Sequence, residues 1–172
     1  CGKGGNPVGF IMEHEQRTYP EALRWLAKKY HIEIQERELT DDEKREQSAR
    51  ESMFIVNEWA MKYFQDKMQN DPDGIAIGMQ YFRSRGFRDD IIKKFQLGYD
   101  LMDRRAFATE ALRKGYKEEF ILKTGICYKN DRGELIDRYA GRVIFPWIGI
   151  SGKVVGFGGR LLDSRTKGVN QK

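Results

Sequence analysis

Seven cationic side chains crowd the last thirty-five residues of this chain: Arg138, Arg142, Lys153, Arg160, Arg165, Lys167 and Lys172. Asp163 alone opposes them, a balance of +6. The whole chain carries +5, so everything before this stretch sums to −1. Guanidinium groups bind phosphate oxygens through paired N–H bonds and also stack on bases. Tyr139, Phe145, Trp147 and Phe157 stand among these cations and could offer stacking surfaces, although most should fill the core. Charge concentrated in one segment points to a polyanion, most often nucleic acid.

Other chemistry is sparse. Metal-assisted phosphoryl transfer needs clustered carboxylates that hold divalent ions. No such cluster stands in the basic half, where Asp163 is isolated. There is no P-loop and no GxSxG, and Gly156-Phe157-Gly158-Gly159 lacks the spacing and following helix of a dinucleotide fingerprint. Cys1 opens a glycine-rich start, CGKGGNPVGF, of the kind that turns tightly around a thiolate. Zinc needs about four ligands, and neither His14 nor His31 has ligand spacing to Cys1. On residues alone Cys1 is an ordinary cysteine. Two cysteines in 172 residues imply no disulfide framework, and Cys127 reads as a small buried hydrophobe. No apolar run approaches the ~20 residues of a membrane helix and no signal peptide opens the chain. A cytoplasmic protein is expected.

The elements that must position the basic residues follow from periodicity. Residues 143–148 and 154–157 are two apolar runs across a glycine-containing turn, hence a β-hairpin. Pro146 inside the first run predicts an edge or a bulge. Glycines 156, 158 and 159 allow backbone or ligand to approach closely. Upstream, Thr18-x-x-Glu21 is a capping box opening a helix over 19–30. A short helix is expected near 10–15. Residues 35–51 are almost all polar and read as a solvated linker or helix start. Met53, Phe54, Asn57, Ala60, Met61, Phe64 and Met68 recur at three and four, predicting a helix over about 44–70 with a core stripe. Shorter helices are expected at 75–84, 89–95, 104–114 and 117–123, closed by glycines. A β-region follows over 126–137, turning at Asn130-Asp131-Arg132-Gly133.

These segments carry a family resemblance. RVIFPW…SGKVVGFGGRLL resembles the opening of the catalytic core of bacterial DNA primases of the DnaG type, where a basic residue, an apolar run ending in Phe-Pro and a GxVxGFGGR block precede Lys-Tyr-x-Asn-Ser-Pro. Lys172 stands where that lysine would. Asp137-Arg138-Tyr139 and Arg142-Val143-Ile144-Phe145-Pro146 match the preceding block. CGKGGNPVGF is similar to the end of the family's N-terminal zinc ribbon, and EALRWLAKKYHIEI to the helix after it. Tyr81-Phe82-Arg83-Ser84-Arg85-Gly86 matches a Tyr-Leu-x-x-Arg-Gly segment.

The resemblance implies an α+β fold, helical segments followed by a small mixed or antiparallel sheet. It implies a zinc-ribbon tail at 1–35, a linker at 36–51, and the N-terminal subdomain of the primase core at 52–172, without the Toprim subdomain. It makes Cys1 the last zinc ligand, with the others and the metal not expected in this segment. Arg85, Arg160 and Lys172 become part of the groove that guides single-stranded template, with Arg142 beside it. The parent would be a DNA-directed RNA polymerase making replication primers from nucleotides with Mg²⁺ or Mn²⁺, working with a replicative helicase. This segment, expected as a monomer, would bind single-stranded DNA without synthesising RNA. The alternative is a non-enzymatic module whose basic β-surface docks nucleic acid or an acidic protein.

Overall fold

In the computed structural model, residues 4–15, 17–34 and 40–162 are described. The chain forms two units: residues 1–48 with 148–153, and residues 49–147 with 154–172.

The first unit holds two helices, α1 (Pro7–His14) and α2 (Tyr19–Tyr30). Asn6 caps α1, its side-chain oxygen accepting from the Gly9 N–H at 2.8 Å. At the start of α2, Glu21 accepts from the Thr18 N–H at 2.9 Å and the Thr18 hydroxyl at 2.8 Å. Those bonds hold the Glu21 carboxyl below its ordinary pKa. Ile11, Ala22 and Ala27 are buried where the helices meet. The turn 148–153 belongs to this unit and is closed by the Gly149 N–H bonding to the Lys153 carbonyl at 2.9 Å.

Helix α3 (Asp41–Asn70) starts three residues before the apolar stripe predicts. The reason is a second capping box. Glu43 accepts from the Thr40 N–H at 2.8 Å, and the Glu43 N–H donates to the Thr40 hydroxyl at 3.3 Å.

Past Asn70 the second unit departs from the expected single helix. Gly74–Met79 is a π-helix, and only Gln80–Ser84 (α4) is α-helical. Close packing accounts for both glycines there. A Cβ on Gly74 would lie 1.8 Å from the Lys67 carbonyl oxygen, and one on Gly78 would lie 2.7 Å from Cβ of Tyr99. Then come α5 (Asp89–Lys94), β1 (Gly98–Tyr99), α6 (Ala106–Arg113), α7 (Glu118–Lys123), β2 (Cys127–Lys129), β3 (Leu135–Asp137), β4 (Arg142–Ile148) and β5 (Val154–Leu161). β2 and β3 pair antiparallel, while β1, β4 and β5 form a separate sheet in the order β1-β4-β5. The architecture is the expected α+β class.

Pro146 corrects one expectation. β4 is the middle strand of its sheet, not an edge. Proline is tolerated because β1 is two residues long and pairs only at Gly98–Ile144 and Tyr99–Val143. β1 does not reach Pro146, so no ladder bond is lost to it there.

Two apolar clusters fill this unit. One gathers Val56, Ala60, Tyr63 and Phe64 of α3 with Phe107, Ala108 and Ala111 of α6, Ile121 of α7, and Ile144 of β4. The other gathers Met68, Phe82, Ile92, Leu97, Tyr99 and Val143. Val143 and Ile144 are consecutive, so strand alternation sends them to opposite clusters. That is why residues 143–145 are apolar without a polar alternate. Burying side chains the size of Phe64 and Phe82 contributes about 1.5–3 kcal/mol each.

Candidate nucleic-acid interface

The hairpin that carries the basic residues is fastened to the helices from both sides. Asn57 of α3 donates its side-chain N–H to the Val154 carbonyl at 3.2 Å, from a buried position. Phe157 meets Phe64 edge to face, with ring centroids 5.5 Å apart. Phe145 meets Phe82 of α4 in the same manner at 5.6 Å. Tyr139 donates its hydroxyl to the Phe157 carbonyl at 2.8 Å. Its ring lies against Gly159, where a Cβ would fall 2.5 Å from Cδ1 of Tyr139 and 3.1 Å from Cδ of Arg142. Gly159 is therefore required by close packing.

Of the four aromatics among the basic residues, Phe145 and Phe157 pack on the two clusters and Tyr139 on the first. Trp147 differs. It is 68% exposed, with Val155 beside it also exposed. It is the aromatic of this group left open to stack on a base.

The expected arginines occupy linked positions. Arg142 begins β4, half-buried, and reaches the Gly159 carbonyl at 3.5 Å. Arg160 follows Gly159 directly on β5 and is exposed. Arg85 follows α4, whose Phe82 packs on β4, and its guanidinium lies 5.0 Å over the Tyr81 ring. Among the described residues, none of Arg85, Arg142 and Arg160 pairs with a carboxylate. Other arginines of the unit do: Arg83 with Asp89 at 2.7 Å, Arg88 with Asp90, Arg105 with Glu134 at 3.3 Å, and Arg113 with Glu110 at 2.7 Å. An unpaired guanidinium keeps its N–H donors for an incoming phosphate. Lys172 and Cys1 lie outside the described residues.

Sequence reasoning missed a buried acidic pair. Asp100 and Asp137 are 0% and 2% exposed. Asp137 ends β3 and caps α6, accepting from the Phe107 and Ala108 N–H groups at 2.8 and 2.9 Å. The Cys127 thiol donates to it at 3.5 Å. Burial outweighs these donors and pushes its pKa up to about 6. Asp100, beside β4, is raised well above the ordinary value, first by burial and then by the Asp137 charge. The nearby Leu101 N–H favours the charged form slightly, yet neither carboxyl oxygen has a hydrogen-bond partner of good geometry among the protein atoms. The Cys127 thiol is likewise pushed far up by burial and by Asp137. Nothing in the spacing of 100 and 137 announces the pair, because thirty-seven residues and two helices separate them.

No group of three or more His, Cys, Asp or Glu among the described residues could hold a metal ion. The described residues therefore do not by themselves fit a zinc site, and no helix among them is long and apolar enough to cross a membrane.

Comparison with known proteins places both units. Residues 1–42 match the CHC2 zinc finger and residues 63–172 match the DNA primase catalytic core, N-terminal domain. A DNA primase of Clostridium acetobutylicum is 32% identical over 99% of this chain, which spans 28% of that protein's length. The RNA polymerase domain of the Mycobacterium tuberculosis primase DnaG superposes with a TM-score of 0.61 and 28% identity, covering 67% of this chain and 37% of that one. A DnaG primase catalytic domain bound to single-stranded DNA shares the fold, with a TM-score of 0.63 and 24% identity over 69% of this chain and 38% of its own. An α+β scaffold, two matching domain families and a relative aligned along nearly the whole chain agree: the chain belongs to the bacterial DnaG-type DNA primases and is part of a primase core.

Proposed function

We propose that this segment guides single-stranded DNA template in a DNA-directed RNA polymerase that makes replication primers. The observation that carries it is the contrast among arginines. Arg85, Arg142 and Arg160 have no carboxylate partner among the described residues, whereas Arg83, Arg88, Arg105 and Arg113 each have one. Trp147, exposed on β4, supplies an aromatic face at which a base stacks. The family resemblance assigns Lys172 to the same template contacts. The single-stranded DNA held by a DnaG catalytic domain of the same fold supports the reading.

The remaining assignments rest on the family. Residues 1–35 form the tail of the zinc ribbon with Cys1 as its last ligand, 36–51 link, and 52–172 form the N-terminal subdomain of the core. Mg²⁺ or Mn²⁺ chemistry is supplied by the parent's Toprim subdomain, so the segment alone binds strand without making RNA. The parent is cytoplasmic and engages a replicative helicase, and the segment is a monomer.

The test is fluorescence anisotropy with labelled single-stranded DNA over a salt series. Affinity falls with salt by about 0.7 log units per log unit for each phosphate neutralised on a single strand. Arg160→Ala and Arg85→Ala each weaken binding and flatten that slope. Binding that is absent at low salt, or unchanged in both variants, refutes the proposal.

A further inference from the structure

A small cavity opens between β2, β3 and the start of β4, with a volume of about 100 Å³. Arg104, Arg138 and Arg142 line it, together with Tyr128 and Asp137. Each guanidinium is steadied by a neutral acceptor. Arg104 donates to the Tyr128 hydroxyl at 2.7 Å. Arg138 donates through Nε to the Gly125 carbonyl at 2.8 Å and lies 5.4 Å over the Tyr128 ring. Arg142 reaches the Gly159 carbonyl. None of the three pairs with a carboxylate among the described residues. The one acid in the wall, Asp137, has its oxygens turned to the Phe107 and Ala108 N–H groups and the Cys127 thiol.

Three like charges do not gather around one hole without cost unless an anion offsets them. Arg105, next to Arg104 in sequence, is ion-paired to Glu134 at 3.3 Å, whereas Arg104 lines the cavity without a carboxylate partner among the described residues. Tyr128 holds the Arg104 fork in place from one side while its ring supports Arg138. Fixed guanidinium forks around a cavity of one-group size match a tetrahedral phosphate. A volume of about 100 Å³ suits a single phosphate group.

We infer that Arg104, Arg138 and Arg142, oriented by Tyr128, form a pocket for a single phosphate group. The inference extends the proposed strand-binding function and rests on it only where that phosphate belongs to the strand. The phosphate has two sources, a backbone phosphate of single-stranded DNA or the phosphate tail of a nucleoside triphosphate. Neither Arg104 nor Tyr128 stood out in the sequence, and Arg138 did so only as one of the seven cations of the basic stretch.

The whole chain is titrated with two probes: labelled oligothymidylate by anisotropy, and metal-free ATP by calorimetry. The variants are Arg104→Gln, Arg138→Gln and, as a charge-matched control, Arg105→Gln. Arg160→Ala reports separately on the template track. Loss of one charged phosphate contact weakens binding about three- to tenfold and, for the strand, lowers the salt slope by about 0.7. If the pocket takes a strand phosphate, both pocket variants show this loss with oligothymidylate and leave ATP binding alone. If it takes a nucleotide phosphate, they weaken ATP and spare the strand. Arg104→Lys, which keeps the charge and loses the fork, gives an intermediate loss with whichever probe binds. Pocket variants that bind both probes like the parent sequence overturn the inference, as does an equal loss in Arg105→Gln. If Arg160→Ala alone weakens strand binding, the pocket fails and the template track stands. If the pocket variants weaken ATP while Arg160→Ala changes nothing, the reverse holds.

Discussion

Replacing Asp100 by asparagine should stabilise this protein, and by an amount that grows with pH. Asp100 is fully buried, neither oxygen is hydrogen-bonded with good geometry, and Asp137 lies close enough to repel its charge. Both effects raise its folded pKa above the ordinary 3.8. A carboxyl of this kind contributes stability that is fully present below the unfolded pKa and lost as pH rises through the folded one. Within that window, keeping one carboxyl protonated in the fold while it ionises in the unfolded chain costs about 1.4 kcal/mol per pH unit. The cost therefore grows with pH from the unfolded pKa up to the folded one and is constant above it. Asparagine has nearly the same shape and no charge, so it removes that cost while leaving an unsatisfied polar group. In a chain of 172 residues, the gain in midpoint of Asp100→Asn over the parent should widen by roughly 3–6 °C for each pH unit within that window. Thermal unfolding followed by circular dichroism, parent against variant at each pH, reads this difference directly. Other acids titrate in the same range, which is why the difference and not either curve is the measurement. A gap that stays constant with pH would show that Asp100 is not an uncompensated buried acid and would refute the reasoning.

Three further outcomes follow from packing. Gly159→Ala should cost about 1–3 kcal/mol in urea unfolding, because its methyl group would lie 2.5 Å from the Tyr139 ring; Gly156→Ala, with nothing within 4 Å, should cost well under half of that. Asn57→Leu should lower stability by about 1–3 kcal/mol, since it leaves the buried Val154 carbonyl without its side-chain donor; an unchanged midpoint would show that the bond is dispensable. Cys127 should resist a thiol reagent in the folded protein and react once urea unfolds it, because burial and Asp137 keep the thiol protonated; rapid labelling of Cys127 under native conditions would contradict its placement.

Local signals were legible and distant ones were not. Thr18, Pro20 and Glu21 lead straight to α2, whose observed bounds agree with the expected 19–30. The apolar runs around Gly149–Lys153 lead to the β4–β5 hairpin. Thr40-x-x-Glu43 carries the same cap signature as Thr18-x-x-Glu21, but the charge run around it reads as a solvated segment and hides the helix start. Pro146 argues for an edge strand by itself; only the two-residue length of β1 reconciles it with a central one. The π-helix is not legible in the pattern Gly74–Met79, and the close approach of its glycines to Lys67 and Tyr99 is a contact between residues distant in sequence. Among the site residues, Arg142 and Arg160 stand out through the charge imbalance. Arg104 does not, because it comes from a segment of nearly balanced charge and meets the others through distant contacts, its side chain on Tyr128 and its carbonyl on the Asp137 N–H.

The placement of Val143 and Ile144 on opposite sides of one strand has a consequence for how this unit opens. A strand that forms a wall of two separate clusters cannot leave one while the other stays intact. Local fraying should therefore stop at its borders, and the two halves should melt in a single step. Amide hydrogens of Val143 and Ile144 should exchange with deuterium only through global unfolding, at the slow limit set by the whole unit's stability. The exposed turn beyond Ile148 should exchange far faster. Arg142 stands at the protected end of this strand, so its guanidinium extends from backbone that should exchange slowly.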